Sequence, residues 1–177
     1  MKTKLIILLG FIVIAFNSCN LTGSSNATPE IIFVTNPFVN QSDTLKNYLT
    51  DDGVYHLDTI VVGDTVTFRI LLYGFTNNLS TYNIIQSDTS STKLLLPAAN
   101  SLDSVFLSAS SDYPNGKFIF KNKISSLYFP FKYVAKKVSS DAKISFYLSS
   151  DANFGNSNNL GNNYVSLVLK TPIKLSK

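Results

Sequence analysis

Few side chains in this sequence are suited to moving protons, attacking carbonyls or holding metals. There is one histidine, His56, and one cysteine, Cys19. A zinc site built from His and Cys needs three or four such ligands, so none closes within one chain. A Cys–His nucleophilic pair would have to be Cys19 with His56. The acids are ten Asp and a single Glu, Glu30. Two facing carboxylates for glycoside hydrolysis would therefore be an Asp–Asp pair, and nothing marks one out. Asp51-Asp52-Gly53, Asp141 and Asp151 could lend oxygens to calcium, but no Asp-x-Asp-x-Asp-Gly run is present and Asp-Asp-Gly is ordinary turn chemistry. The serine pairs at 90–91, 110–111, 139–140 and 149–150 contain no Gly-x-Ser-x-Gly elbow. Of the 15 basic residues 14 are Lys, and Arg69 is the only Arg, which leaves little of the planar fork that reads phosphates and base edges. The expectation is a non-enzyme with no catalytic residues, no cofactor, no metal site and no nucleic-acid partner.

Cys19 has a better use. Lys2 and Lys4 open the chain, Leu5 to Phe16 is an apolar run of twelve, and Asn17-Ser18 precede the cysteine. That run is short for a bilayer span of ~20 residues and has the layout of a secretory signal. Phe16-Asn17-Ser18-Cys19 resembles the lipobox of bacterial lipoproteins of the Bacteroidota type, with Phe16 where Leu is customary. The resemblance implies a signal peptide over residues 1–18, and a Cys19 that becomes the lipidated N-terminus and partners the membrane through its acyl chains. Residues 19–29 are then the lipidated Cys and a flexible, Ser/Asn-rich tether, and 30–177 the folded domain. Asn20 is not the Asp that marks inner-membrane retention in enterobacterial lipoproteins, which points to the outer membrane, on either of its faces. Without residues 1–18 the charge falls to 13 basic against 11 acidic residues, so much of the apparent basicity belongs to the signal.

From Ile31 onward the hydrophobic period is two. Val66, Phe68, Ile70 and Leu72 alternate with polar or outward positions, as do Leu127, Phe129, Phe131 and Tyr133. Ile144, Phe146 and Leu148 repeat the pattern, and so do Val165, Leu167 and Leu169. Such alternation marks half-buried strands. Shorter strands are expected at 31–34, 54–62, 79–85, 93–96, 104–109 and 117–120, with turns at Gly63-Asp64 and Tyr113-Pro114-Asn115-Gly116. No apolar stripe at helical spacing runs for three turns. The fold class is all-β, an antiparallel sandwich of about nine strands. In size and strand count it resembles an immunoglobulin-like domain, although Trp and a second Cys are absent. A closed barrel has the same periodicity. Pro130 inside a strong strand implies an edge or a bulge.

Two further features bear on function. Asp151 to Asn163 joins the last two long strands and carries six Asn and two Gly. Long irregular loops are often functional, and amides suit sugar hydroxyls. Asp151, Asn153, Phe154, Asn156, Asn158, Asn159, Asn162 and Asn163 are therefore the candidate ligand loop, and Tyr73-Gly74-Phe75 places two more aromatics beside a turn. Separately, Asp43-Thr44-Leu45, Asp58-Thr59-Ile60, Asp64-Thr65-Val66 and Asp103-Ser104-Val105 resemble the Asp-Ser/Thr-aliphatic motif of Bacteroidota O-glycosylation. The resemblance makes Thr44, Thr59, Thr65 and Ser104 acceptors. The functional expectation is a cell-envelope binding or adhesion module for a glycan or an envelope protein. The alternative is a structural envelope component or an accessory subunit of a surface assembly.

Overall fold

The computed structural model describes residues 26–155 and 161–176. The signal peptide, Cys19, Asn156, Asn158 and Asn159 lie outside the described residues. Fourteen strands run in the order β1 (Glu30–Phe33), β2 (Phe38–Val39), β3 (Asp43–Thr44), β4 (Asn47–Leu49), β5 (Tyr55–Leu57), β6 (Ile60–Val61), β7 (Thr65–Tyr73), β8 (Leu79–Gln86), β9 (Thr92–Leu95), β10 (Lys117–Ile119), β11 (Ser126–Ala135), β12 (Lys143–Ser150), β13 (Tyr164–Lys170) and β14 (Ile173–Lys174). A short helix α1 (Ala99–Val105) and a 3₁₀ turn (Tyr113–Asn115) fall between β9 and β10.

Twelve of these strands make two packed sheets, and β6 and β14 pair as a separate two-stranded sheet. Sheet A has the order β3-β2-β7-β11-β9, with β1 beside β2 on the same edge of β7; sheet B has the order β10-β8-β12-β13-β5-β4. No ladder among the described residues joins A to B, so this is a sandwich and not a closed barrel. The alternating residues face inward as expected. Val66, Phe68, Ile70 and Leu72 from β7 meet Ile144, Phe146 and Leu148 from β12, all essentially without solvent exposure. Phe68 lies flat on Phe131 at 4.8 Å between ring centroids and touches Phe146 of the other sheet at 6.5 Å. A second aromatic group joins Tyr82, Phe106, Phe118 and Phe129. Aromatic pairs of this geometry add about 0.5–1.5 kcal/mol each beyond burial. The whole hydrophobic core lies between Ile31 and Ile173.

The structure departs from expectation in three places. Fourteen strands exceed about nine because seven have only two or three residues, too few for alternation to show. Two pairings are parallel: β13 with β5, and β14 with β6. The expected strand at 104–109 begins instead as the end of α1. That helix has seven residues and one buried side chain, Leu102, so no helical stripe could accumulate. Pro130 pairs with Arg69 of β7, while β9 joins β11 only from Lys132 onward. The missing N–H thus falls on a locally unpaired edge.

Tyr82 is fully buried, and its hydroxyl has no hydrogen-bond partner. A buried hydroxyl left unpaired costs about 1–3 kcal/mol. Tyr133, equally buried, does have a partner, the Thr171 hydroxyl at 3.3 Å. Tyr82→Phe is therefore expected to raise unfolding free energy by about 1 kcal/mol, whereas Tyr133→Phe lowers it by about 0.5–1.5 kcal/mol. Urea unfolding of residues 20–177 checks both signs.

Candidate functional site

The loop singled out by its asparagines lies at one end of the sandwich, and most of its described polar groups are bound within the chain. Asp151 accepts from Asn78 twice, from the backbone N–H and the side-chain amide, both at 2.7 Å. Asn153 is tied on three sides. Its N–H donates to Asn26 Oδ1 at 3.1 Å, its carbonyl accepts from Asn26 Nδ2, and its own Oδ1 accepts from the Gly155 N–H at 2.9 Å. The Asn162 N–H donates to Thr28 Oγ1 at 3.0 Å. Phe154 is half-buried, and its ring lies so close to Gly161 that a Cβ there would sit 2.9 Å away. A polar cleft of about 510 Å³ opens between Ala152–Gly155 and Gly161–Asn163. The exposed residues Asn162 and Asn163 remain on its rim.

The same end receives the incoming chain. Asn26 also accepts from Asn77 Nδ2 at 3.1 Å, the Ala27 N–H donates to Asn77 Oδ1 at 3.1 Å, and Pro29 is buried. Residues 26–29 are thus part of the fold, shortening the expected tether. Tyr73-Gly74-Phe75 lies there too, with Tyr73 and Phe75 rings 4.4 Å apart. Gly74 is fixed by close approach, since a Cβ would meet the Asn77 carbonyl at 2.5 Å.

The four modification motifs differ in access. Thr44 is exposed on the short edge strand β3, and Thr59 is exposed between β5 and β6. Thr65 is half-buried, and the preceding Asp64 is held by Asn40 Nδ2 at 2.9 Å and the Val61 N–H at 2.8 Å. Ser104 is exposed on α1, where its hydroxyl donates to the Ser101 carbonyl at 2.6 Å. All four aspartates accept hydrogen bonds, Asp43 only a long one of 3.5 Å from the neighbouring Ser42 hydroxyl.

The outer face of sheet B is a more open surface. Alternation turns Thr81 and Asn83 of β8, Ser145, Tyr147 and Ser149 of β12, and Tyr164 and Ser166 of β13 away from the core. Tyr147 and Tyr164 stack at 5.5 Å and 23°, with Tyr164 45% exposed. Tyr147 stands opposite Ser166 on one side and Asn83 on the other, so serine hydroxyls flank the rings, while the Asn83 Oδ1 is buried without a hydrogen-bond partner. Farther across the sheet His56 stacks on Tyr48 at 5.4 Å and 18°, and Tyr48 is 57% exposed. His56 is thus part of an aromatic pair on a strand surface. Asp141 closes this region by bridging Lys170 at 2.8 Å and Lys143 at 3.3 Å. Its hydrogen bond from Lys170, then that from Lys143, holds the Asp141 carboxyl below the usual range. On the other sheet Arg69 is engaged with the Phe38 ring, 4.9 Å from its centroid.

A third surface carries residues the sequence did not single out. At the side where β9 and β10 form the sheet edges, α1 and the 3₁₀ turn leave a groove of about 460 Å³. Gly116 makes the turn possible. It has φ +69, and a Cβ would come within 2.1 Å of the Ile84 carbonyl. Tyr113 is held over Phe118 at 5.6 Å, and its hydroxyl donates to Asp103 of α1 at 2.9 Å. Burial and that bond push its phenol up to about 12. The signal available in the sequence was Leu94-Leu95-Leu96 before Pro97, more apolar surface than an edge strand's inward face can bury. Among the described residues no group of three or more His, Cys, Asp or Glu could hold a metal ion.

No family model matches the chain, and no curated protein matches it. A solved structure titled "BspA_C_WT" is similar over 82% of this chain and 51% of its own, at 13% identity and a TM-score of 0.32. The chain therefore spans about half of that structure, and a likeness at this level carries no functional argument.

The turn between β8 and β9 adds a pH dependence. Asp88 accepts from the Ser91 N–H at 3.0 Å and the Ser90 hydroxyl at 2.7 Å, and bonds from these two serines bring its carboxyl from 3.8 to about 2. A pKa lowered by folding stabilises fully above the unfolded value, and the gain is lost as pH falls through the folded one. Stability is expected to drop between pH 4 and 2, with Asp52 and Asp141, also lowered, contributing. In Asp88→Ala the drop should be shallower, as read from urea midpoints at the two pH values.

Proposed function

We propose that the chain is an outer-membrane lipoprotein whose domain is a non-enzymatic binding module, recognising carbohydrate through the open face of sheet B. The observation that carries this is the half-exposed Tyr147–Tyr164 pair among the hydroxyls of Ser145, Ser149 and Ser166. A sugar ring offers apolar C–H faces and a rim of hydroxyls, and this surface offers aromatic faces with donors and acceptors beside them. Tyr gives that contact area at low conformational cost. The Asn-rich loop is a weaker ligand site because Asp151 and Asn153 are already engaged.

The anchor reading fixes which end of the domain faces the membrane. Seven Cα steps separate Cys19 from Asn26, a reach of at most about 25 Å. A lipidated Cys19 would hold the Asn26 end, and with it residues 151–155 and 161–163, toward the bilayer. The outer face of sheet B starts at that end, where Tyr164 follows Asn163, and extends from it along β12 and β13.

Two measurements test the proposal. In cells, Cys19→Ala should move the protein from the membrane to the soluble fraction, and retention in the membrane sinks the anchor. On a glycan array, residues 20–177 should bind, with the Tyr147→Ala/Tyr164→Ala double variant losing at least tenfold in affinity. If that variant binds glycan as the parent does, the sheet B site is wrong. If neither binds glycan and an envelope pull-down recovers a protein through the same tyrosines, the carbohydrate reading fails in favour of a protein ligand. If nothing is bound and deletion weakens only the envelope, a structural role replaces both.

A further inference from the structure

We infer that the groove between β9 and the 3₁₀ turn is a binding site for a small amphipathic carboxylate of the medium-chain fatty-acid type. It is separate from the carbohydrate surface and does not depend on it. Apolar area is left over at this groove after the core is complete. Leu94 and Leu96 are only half-buried, and with Leu102, Tyr113 and Pro114 they form an aliphatic wall with one aromatic side. At about 460 Å³ the space lies within the range of small-ligand sites, which are typically apolar with a few polar groups that set orientation.

Charge sets the orientation here. Lys93 and Lys136 both border the groove, and no acidic residue lines it. Both ion pairs among the described residues are made by Asp141, so neither lysine is in one. The carboxylates nearest in the chain are already in use. Asp88 accepts from Ser90 and Ser91, and Asp103 accepts from the Tyr113 hydroxyl. An anion meeting Lys93 and Lys136 finds two ammonium groups outside any ion pair among the described residues, beside a wall that would cover an alkyl chain. A fully polar anion would leave the leucines wet, and a neutral hydrocarbon would leave the lysines unused. The walls are fixed by folding, since Leu102 is core and Gly116 pins the turn against β8. Little ordering cost then falls on binding.

The test uses residues 20–177, which contain the whole core, at low ionic strength where exposed charges are least screened. Decanoate, kept below its micelle concentration, is titrated with amide and methyl NMR detection. Saturable shifts should centre on Leu94, Leu96 and Tyr113. Acetate should give none, and decanol should bind at least fivefold more weakly than decanoate. Lys93→Gln/Lys136→Gln, two changes at exposed positions, should weaken decanoate at least fivefold while leaving the unfolding midpoint unchanged. Tyr147→Ala/Tyr164→Ala should leave decanoate affinity intact, which separates this site from the carbohydrate surface. Absence of saturable binding, a loss below fivefold in the lysine variant, or shifts centred outside the groove would overturn the inference.

Discussion

Phe68 is held from three sides, and the arrangement of the domain follows from it. Its ring lies flat on Phe131 of β11, the neighbouring strand, at 4.8 Å and contacts Phe146 of β12 in sheet B and Phe33 of β1. For these contacts to coexist, β7 must have β11 on one edge and β1 on the other, and sheet B must lie across it. Both edges of β7 are then used along most of its length, since β2 takes up the pairing where β1 stops. Growth of sheet A is limited to its rims, where β3 has two residues and β9 four. Short edges of this kind give little template for unwanted pairing. Loss of the Phe68 ring would cost about 3–5 kcal/mol by the usual reckoning for a buried aromatic.

The second constraint is topological. β5 lies parallel to β13, and β6 to β14, so residues near 55–61 are paired with residues near 169–174. Two-thirds of the chain must be placed before these ladders can close, an ordering that raises contact order and slows folding. Thr171 lies at that closure, fully buried. Its N–H donates to the Ala142 carbonyl at 2.8 Å and its hydroxyl bonds Tyr133. The late pairing also completes the outer face of sheet B. His56 stands opposite Lys170 only because β5 docks on β13, and Tyr48 stacks on His56 only because β4 follows.

Long strands were legible because burial repeats. Four inward residues on β7 and three on β12 leave a period of two that no other element imitates. What escaped was short or non-local. A two-residue strand such as β6 has no period, and α1 buries Leu102 alone, so it leaves no stripe and its last two residues, Ser104 and Val105, read as the start of a strand. The state of the candidate loop's amides is hidden from the sequence for a different reason. Six Asn in thirteen residues look like free amides, yet the partners of Asn153 and Asn162 are Asn26 and Thr28, 127 and 134 residues away in sequence. Composition shows which groups can bond and not whether they already have. The tyrosines of sheet B have the converse history. Tyr147 and Tyr164 looked like routine outward positions on two strands until the register of β12 against β13 brought their rings together.

That contrast decides which surface has affinity to offer. A hydrogen bond formed inside the chain must be broken before the same group can serve a ligand, and a ligand that replaces it gains little net. The Asn-rich end has this character: its amides hold residues 26–28 against the loops at 77–78 and 151–155, so its chemistry fastens the incoming chain to the domain. The Tyr147–Tyr164 pair and the groove walls at Leu94 and Leu96 differ, because apolar area still in contact with water is free energy that folding has not recovered. Burying it under a partner gains roughly 25 cal/mol per Å² without breaking a protein bond. The polar neighbours then act as filters. Serine hydroxyls beside the tyrosines would suit a neutral hydroxylated surface on sheet B, and two lysines outside any ion pair would suit an anion at the groove. The two surfaces share no lining residue: Tyr147 and Tyr164 stand on β12 and β13, and the groove is built from β9, α1 and the 3₁₀ turn at the sheet edge.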